Sequence, residues 1–145
     1  MTSLPEYMTI KHRECDDFFT EAESAAAAEN WSLADEKFSL FKKDLLLHLD
    51  AEETILFPQF EQATGMTSGP TQVMRMEHEQ MRGLMHDLIA ELKSKNKDKF
   101  LGLSETLMVL MQQHNMKEEM MLYPMAEQRI AAQGELVSAL QQHCD

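Results

Sequence analysis

Residues 100–125, FLGLSETLMVLMQQHNMKEEMMLYPM, carry apolar side chains at steps of three and four residues. This spacing places about one residue per turn on a single stripe of an α-helix, as in helices that pack lengthwise in a bundle. The stretch therefore predicts a long amphipathic helix rather than a strand. The positions on the stripe are Phe100, Leu103, Leu107, Leu110, His114, Glu118, Met121 and Met125.

Three earlier stretches repeat this pattern, and short segments rich in turn-forming residues separate them. Because short connections between long helices favour antiparallel neighbours, the sequence predicts an all-α fold, an antiparallel up-down-up-down four-helix bundle. The stripe positions are Met8, His12, Cys15, Phe19, Ala22 and Ala26 in the first helix, Ala34, Phe38, Phe41, Leu45, His48, Glu52 and Ile55 in the second, and Met74, His78, Met81, Met85, Leu88 and Leu92 in the third.

The length of 145 residues suits one domain, which we expect to span residues 1–145. The bundle should occupy roughly residues 4–130 and leave a tail over 131–145. Within the tail, residues 135–142 follow Gly134 and predict a short C-terminal helix.

Local signals mark the expected ends of the helices. Ser32, Ser68 and Asp98 are the expected N-caps of the second, third and fourth helices, because their side chains can accept a hydrogen bond from a free backbone N–H. Pro58 and Pro124 are expected to kink or end the second and fourth helices, because proline lacks a backbone donor and its ring clashes with the preceding turn.

The chain carries 25 acidic and 13 basic residues, for a formal net charge of −12. Such a surface repels phosphate and anionic lipid, which argues against a nucleic-acid partner and a membrane partner. The sequence has no run of about 18 uncharged apolar residues, and its first residues do not resemble a secretory signal. Cys15 and Cys144 have no metal-ligand spacing. These features predict a cytoplasmic protein with free thiols.

Four histidines and two glutamates occupy stripe positions that otherwise hold apolar side chains. Burying an unpaired carboxylate costs several kcal/mol, whereas a whole domain is stable by only about 5–15 kcal/mol. Such groups are tolerated in a core when they are paired, protonated or bound to a metal. The residues that need a common explanation are His12, His48, Glu52, His78, His114 and Glu118.

The spacing of these residues follows a twofold repeat with an offset of 66 residues. His12 and His48 are 36 residues apart, and so are His78 and His114. The midpoint of each pair falls in a predicted turn. Because residues equidistant from the turn of an antiparallel hairpin stand at the same height, the four histidines should lie in one layer.

A longer match surrounds the second histidine of each half. Residues 48–58, HLDAEETILFP, align with residues 114–124, HNMKEEMMLYP. A residue four positions later in a helix is rotated by about 40° and displaced by about 6 Å, so each of these histidines and the glutamate four residues on can reach a common centre. The next glutamates, Glu53 and Glu119, lie off that face and should contact solvent or support the ligands.

Four imidazoles and two carboxylates in one layer of a helical bundle suit two iron ions, with manganese as the alternative. The carboxylates can bridge the two cations and offset part of their charge. Ferritin-like sites use a glutamate three residues before a histidine, and no histidine of this chain has one there. The sequence therefore predicts a dinuclear site of another pattern.

With these motifs the chain resembles the hemerythrin-like, or HHE cation-binding, family over roughly residues 4–128. The resemblance implies a four-helix bundle that holds a non-haem di-iron centre. It also implies bridging by the two stripe glutamates. Carried over to this chain, the ligands are His12 from the first helix, His48 and Glu52 from the second, His78 from the third, and His114 and Glu118 from the fourth.

The chain departs from the oxygen-carrying hemerythrins at one ligand position. Those proteins have a fifth histidine on the third helix, where this chain has Arg82. We expect Arg82 to pair with its repeat partner Asp16, with stabilisation of an anionic iron ligand as the alternative. In those proteins the last carboxylate also lies five residues after its histidine. Glu119 therefore remains an alternative to Glu118 as the carboxylate ligand of the fourth helix, and His86 is a further candidate ligand.

Three functions remain open at this point. The first is a di-iron protein that binds, senses or responds to O2 or NO. The second is a di-iron enzyme or repair factor that acts on peroxide, NO or damaged iron centres with an electron donor. The count of four histidines and two glutamates resembles the di-iron proteins associated with repair of iron centres under nitrosative stress. The third is a helical interaction module whose metal is purely structural.

Overall fold

The computed structural model describes residues 2–144, and these contain helices and no strand. The all-α prediction is therefore confirmed. The long helices pack side by side, α1 mainly against α2 and α3 mainly against α4. The helices are α1 (Leu4–Ala27), α2 (Trp31–Ala51, continued by a π-helical segment at Glu52–Leu56 and by Phe57–Thr64), α3 (Pro70–Lys93), α4 (Lys97–Lys117, continued by a π-helical segment at Glu118–Leu122 and by Tyr123–Arg129) and α5 (Gln133–Cys144).

The N-termini of α2 and α4 are capped by Asn30 and Asn96, and the predictions of Ser32 and Asp98 are wrong. Each asparagine side chain accepts a hydrogen bond from the backbone N–H three residues on, at 3.3 and 3.2 Å. The predicted caps are already the second residues of their helices. Ser68 is not a cap either, because the glycine after it takes that position in α3.

Neither Pro58 nor Pro124 ends its helix. In each π-helical segment the backbone N–H of the residue before the proline bonds to the carbonyl five residues earlier, Phe57 to Glu52 and Tyr123 to Glu118. This wider turn accommodates a residue that has no N–H and whose ring would clash with the carbonyl four residues before it.

The two wide turns also shift the buried stripe by one residue. The stripe prediction at Ile55 and Met121 is wrong: Ile55 is half-buried and Met121 is 59% exposed, whereas Leu56 and Leu122 are buried. In a regular α-helix the residue three positions after Glu52 or Glu118 would lie on the same face as the glutamate. A π-helical turn contains one extra residue, so the residue four positions later lies on that face instead.

Two apolar clusters fill the interior, one on each side of the polar layer. The first includes Phe19, Phe41 and Phe100, with the rings of Phe19 and Phe41 stacked at 4.5 Å. The second is covered by α5, which buries residues such as Leu136 and Leu140. The polar layer therefore lies between two apolar clusters.

None of the helices in residues 2–144 combines the length and apolar character needed to cross a bilayer.

Candidate metal centre

The six polar stripe residues meet at the middle of the bundle. The elements that supply them are α1, α2 with its π-helical segment, α3, and α4 with its π-helical segment. Each of the six is at most 5% exposed, so bulk water does not solvate these groups. They are His12, His48, Glu52, His78, His114 and Glu118.

The ligand-type atoms of these residues form two overlapping groups. One group consists of His12, His48, Glu52 and Glu118. The other consists of the same two glutamates with His78 and His114. Within each group the nitrogen and oxygen atoms lie within 4.8 Å of one another. The two glutamates belong to both groups, which is the arrangement that two bridged cations require.

The carboxylates reach across both histidine pairs. Glu52 Oε1 lies 3.1 Å from His78 Nε2, while its Oε2 lies 3.5 Å from His48 Nε2. Glu118 Oε1 lies 3.1 Å from His12 Nε2 and 3.3 Å from the Nε2 atom of the α4 histidine. The imidazoles of each hairpin face each other, with ring centroids 4.9 Å apart in both pairs.

Several polar atoms of this cluster are buried without a hydrogen-bond partner among the described residues. Unpaired buried polar atoms are rare and costly in folded proteins, so a group of them needs an explanation. Imidazole nitrogens and carboxylate oxygens are ligands for divalent transition metals, and these residues fit such a centre. The atoms are His48 Nε2, Glu52 Oε1, His78 Nε2, His114 Nε2 and Glu118 Oε2.

The buried carboxylates change the acidity of the imidazoles. Burial lowers the pKa of His12, but hydrogen bonds to its glutamate neighbours outweigh this effect and raise the pKa to about 10. Burial also lowers the pKa of His114, yet the negative charges of Glu118 and Glu52 and the hydrogen bond with Glu77 raise it to about 9. Burial raises the pKa of Glu52, while the charge of His48 holds it well below the usual range. Protons therefore supply the positive charge that metal ions would supply on binding.

Three of the four histidines donate from Nδ1 to a carboxylate outside the cluster. His12 bonds to Glu119 Oε2 at 2.7 Å and His78 to Glu53 Oε2 at 2.7 Å. The α4 histidine bonds in the same way to Glu77 Oε1 at 2.8 Å. With the proton on Nδ1, Nε2 presents its lone pair to the centre, as in carboxylate–histidine–metal arrangements. The positions of Glu53 and Glu119 agree with the supporting role predicted for them.

His48 has different surroundings. The repeat position of Glu77 is occupied by Lys11, and no carboxylate in residues 2–144 hydrogen-bonds to His48 Nδ1. Lys11 Nζ lies 3.9 Å from Asp44 Oδ1, in the same helical pair. The supporting contacts therefore break the twofold pattern at one of the four histidines.

Arg82 does not pair with Asp16, and that prediction is wrong. Its guanidinium binds both carboxylate oxygens of Glu53 at 2.9 Å and also reaches Glu79 at 2.6 Å. Because Glu53 accepts from His78, Arg82 stabilises the charge of a carboxylate that supports a candidate ligand. Arg82 therefore supports the candidate ligand His78 indirectly, through Glu53.

The two further candidates, His86 and Glu119, lie outside both ligand groups. His86 is exposed on the outer face of α3. Glu119 is held on Nδ1 of the α1 histidine, on the side of the ring away from the cluster. The geometry therefore places the α4 carboxylate of the cluster at Glu118.

Sequence reasoning missed Tyr123 as a residue of this site. Its hydroxyl donates to Glu52 Oε2 at 2.5 Å and lies 2.9 Å from Glu118 Oε1 and 3.1 Å from His12 Nε2. Burial and the two carboxylates raise the pKa of Tyr123 well above its usual range. The signal in the sequence was the proline after it, because the helix widens before Pro124 and this wide turn places Tyr123 in the interior.

A small cavity adjoins the cluster, and residues from all four long helices line it. Its volume of about 10 Å³ is close to the space that one water molecule needs. Its polar lining consists of three histidines and Glu118 of the cluster together with Lys11 and Asn115. The apolar wall is formed by Leu45, Leu49, Met81 and Met111.

The supporting carboxylates can be tested without touching a candidate ligand. Removing Glu77 in a Glu77→Ala variant is expected to weaken metal affinity about 10–100-fold, because the imidazole it holds loses its orientation and part of its basicity. Competition against a chromophoric chelator measures this change. Asp87→Ala on the same helix is the control, since Asp87 is exposed. Equal affinities for wild-type protein and the Glu77 variant would contradict the supporting role.

Comparison with known families agrees with the geometry. The chain matches the family model of the hemerythrin HHE cation-binding domain over residues 4–126. This match covers α1 to α3 and nearly all of α4, and therefore every residue of the cluster. Neither the curated proteins nor the solved structures gave a significant match to the chain.

Proposed function

Because this chain belongs to the hemerythrin HHE cation-binding domain family, we propose that it is a non-haem di-iron protein that binds a small ligand such as O2 or NO. One ion would be held by His12 and His48 and the other by His78 and His114. Glu52 and Glu118 would bridge them. The observation that carries this proposal is the pair of overlapping buried ligand groups that share both glutamates.

The choice of iron rests on the donor set. Imidazole nitrogen suits iron, copper, nickel and zinc, whereas carboxylate oxygen suits manganese and harder cations. A mixed set with two imidazoles and two shared carboxylates per ion favours iron, with manganese as the alternative. When bound, such ions supply coordination positions that the protein leaves open to a small molecule.

The size and lining of the cavity support a very small ligand. A space of about 10 Å³ with walls of leucine and methionine excludes larger polar substrates unless side chains move. Lys11 and Asn115 are the polar lining residues outside the cluster. These features favour O2 or NO over an organic substrate.

We also propose the finer architecture and location that the sequence predicts. Short connections and the facing histidines within each hairpin support the antiparallel up-down-up-down order of α1 to α4. Cys15 and Cys144 form no disulfide bond, which supports a cytoplasmic location.

Anaerobic loading with ferrous salt, followed by elemental analysis and optical spectra, tests the proposed function. We expect close to two iron atoms per chain and absorption bands that change reversibly when O2 or NO is added and removed. Repeated turnover of peroxide or NO with an electron donor would favour an enzyme or repair factor instead. A loaded centre that responds to none of these molecules would leave the structural role.

A further inference from the structure

Tyr123 is the one aromatic hydroxyl in direct contact with the cluster among the described residues. Its side chain is fully buried, and its Oη atom lies 2.5 Å from Glu52 Oε2, 2.9 Å from Glu118 Oε1 and 3.1 Å from His12 Nε2. All three neighbouring residues belong to the ligand group that also contains His48, and His12 belongs to that group alone. The phenol oxygen therefore lies among the candidate ligands of one ion.

These three distances match those between neighbouring ligands of a single ion. Nitrogen and oxygen ligands bind small divalent cations at about 2.0–2.2 Å, so adjacent ligand atoms at right angles are about 3 Å apart. The Oη atom is close to this separation from Glu118 Oε1 and His12 Nε2, at 2.9 and 3.1 Å, and lies nearer to Glu52 Oε2, at 2.5 Å. It occupies the place that a further ligand of the same ion would take.

The phenol faces more acceptors than its single proton can serve. The oxygens Glu52 Oε2 and Glu118 Oε1 both lie within hydrogen-bond distance of Oη, and an ionised carboxylate only accepts hydrogen bonds. A cation bound among these oxygens would compensate both carboxylates at once.

The other half of the bundle has no equivalent oxygen. The repeat counterpart of Tyr123 is Phe57, whose ring stacks on His78 with centroids 5.5 Å apart. Both side chains are completely buried at the ends of matching π-helical segments. The phenol can therefore serve only one of the two ions.

We propose that Tyr123 Oη is a ligand of the ion held by His12 and His48, and that the two ions of the centre are chemically inequivalent. The inference rests on the proposed function, since it needs a metal at that group. As the metal–oxygen bond forms, the phenol O–H breaks and its proton leaves to solvent. Tyrosinate is an established ligand of ferric iron in proteins.

The test is a spectrum of the full chain loaded with ferric iron. Tyrosinate bound to ferric iron gives a visible charge-transfer band, and resonance Raman excitation in that band enhances tyrosine ring modes. We expect both signals in wild-type protein, and their loss in Tyr123→Phe while most of the iron remains. The chain has two tyrosines, so Tyr7→Phe is the matched control and should retain both signals.

The outcomes separate this inference from the proposed function. Wild-type protein with two irons and no tyrosinate signal would overturn the inference alone, and so would a signal lost in Tyr7→Phe but kept in Tyr123→Phe. Wild-type protein that takes up no iron would overturn both. If Tyr123→Phe does not fold, retention of the signal in Tyr7→Phe assigns it to Tyr123 by elimination, and its loss overturns the inference.

Discussion

Replacing Glu118 by alanine is expected to lower the iron content from close to two atoms per chain to one or fewer. Glu118 is fully buried and belongs to both ligand groups, so its removal takes a carboxylate from each ion. It also removes negative charge that offsets two adjacent cations in a site without solvent. Elemental analysis after ferrous loading and gel filtration measures the content.

Two controls sharpen this prediction. Glu127→Ala removes an exposed carboxylate from the same helix and should leave the iron content unchanged. Glu119→Ala removes a supporting carboxylate and should lower the content less than Glu118→Ala does. If Glu119→Ala loses more iron than Glu118→Ala, the α4 ligand is Glu119. Full occupancy in the Glu118 variant would refute its assignment as a bridge.

Removing the metal by chelation is expected to lower the melting temperature by roughly 5–16 °C. A ligand that binds only the native state at about 100–1,000 times its Kd adds about 2.7–4.1 kcal/mol to the free energy of unfolding. For a protein of this size each kcal/mol shifts the melting temperature by about 2–4 °C. The physical reason is that bound cations neutralise the two carboxylates buried in the centre of the bundle.

Calorimetry of loaded and chelated protein tests this second prediction. Glu118→Ala is the matched control, because a variant that binds one iron or fewer should show a smaller difference in melting temperature between the two conditions. Identical melting temperatures for loaded and chelated wild-type protein, at saturating metal, would show that the cluster does not bind the ion it was given. A shift of similar size in the variant would show that the effect arises elsewhere.

The inequivalence of the two halves has consequences for both predictions. Tyr123 lies beside the group of His12 and His48, while Phe57 stacks on His78 in the other half. His48 also lacks the carboxylate support that the other histidines have within the described residues. Partial loss of iron in a variant should therefore leave one ion preferentially occupied rather than both ions half-occupied.

The helical fold and the polar layer could be predicted because both depend on local periodicity. A residue three or four positions along a helix returns to the same face, whatever the helix packs against. His12 and His78, like the other stripe residues of α1 and α3, are buried as the spacing predicts. The offset of 66 residues likewise comes from the order of residues alone.

The stripe prediction failed where the backbone widened, and also in the regular part of α4 at Leu103 and Leu110, which are half-buried while Ser104 and Met111 are buried. Ile55 and Met121 were assigned to the core on a regular helical step, and the π-helical segments before Pro58 and Pro124 placed the next residues there instead. The prolines were visible in the sequence, but a helix can meet a proline by ending, kinking or widening. Which of these occurs depends on the packing around it.

The set of helices and the six ionisable residues on their buried faces follow from the order of residues alone, because helical spacing is a property of neighbours along the chain. The contacts between helices do not follow from it: Arg82 binds Glu53 rather than Asp16, Glu77 binds an imidazole of α4, and Tyr123 lies between two carboxylates. These contacts depend on the rotation and height of each helix relative to the others, which packing of the whole core sets.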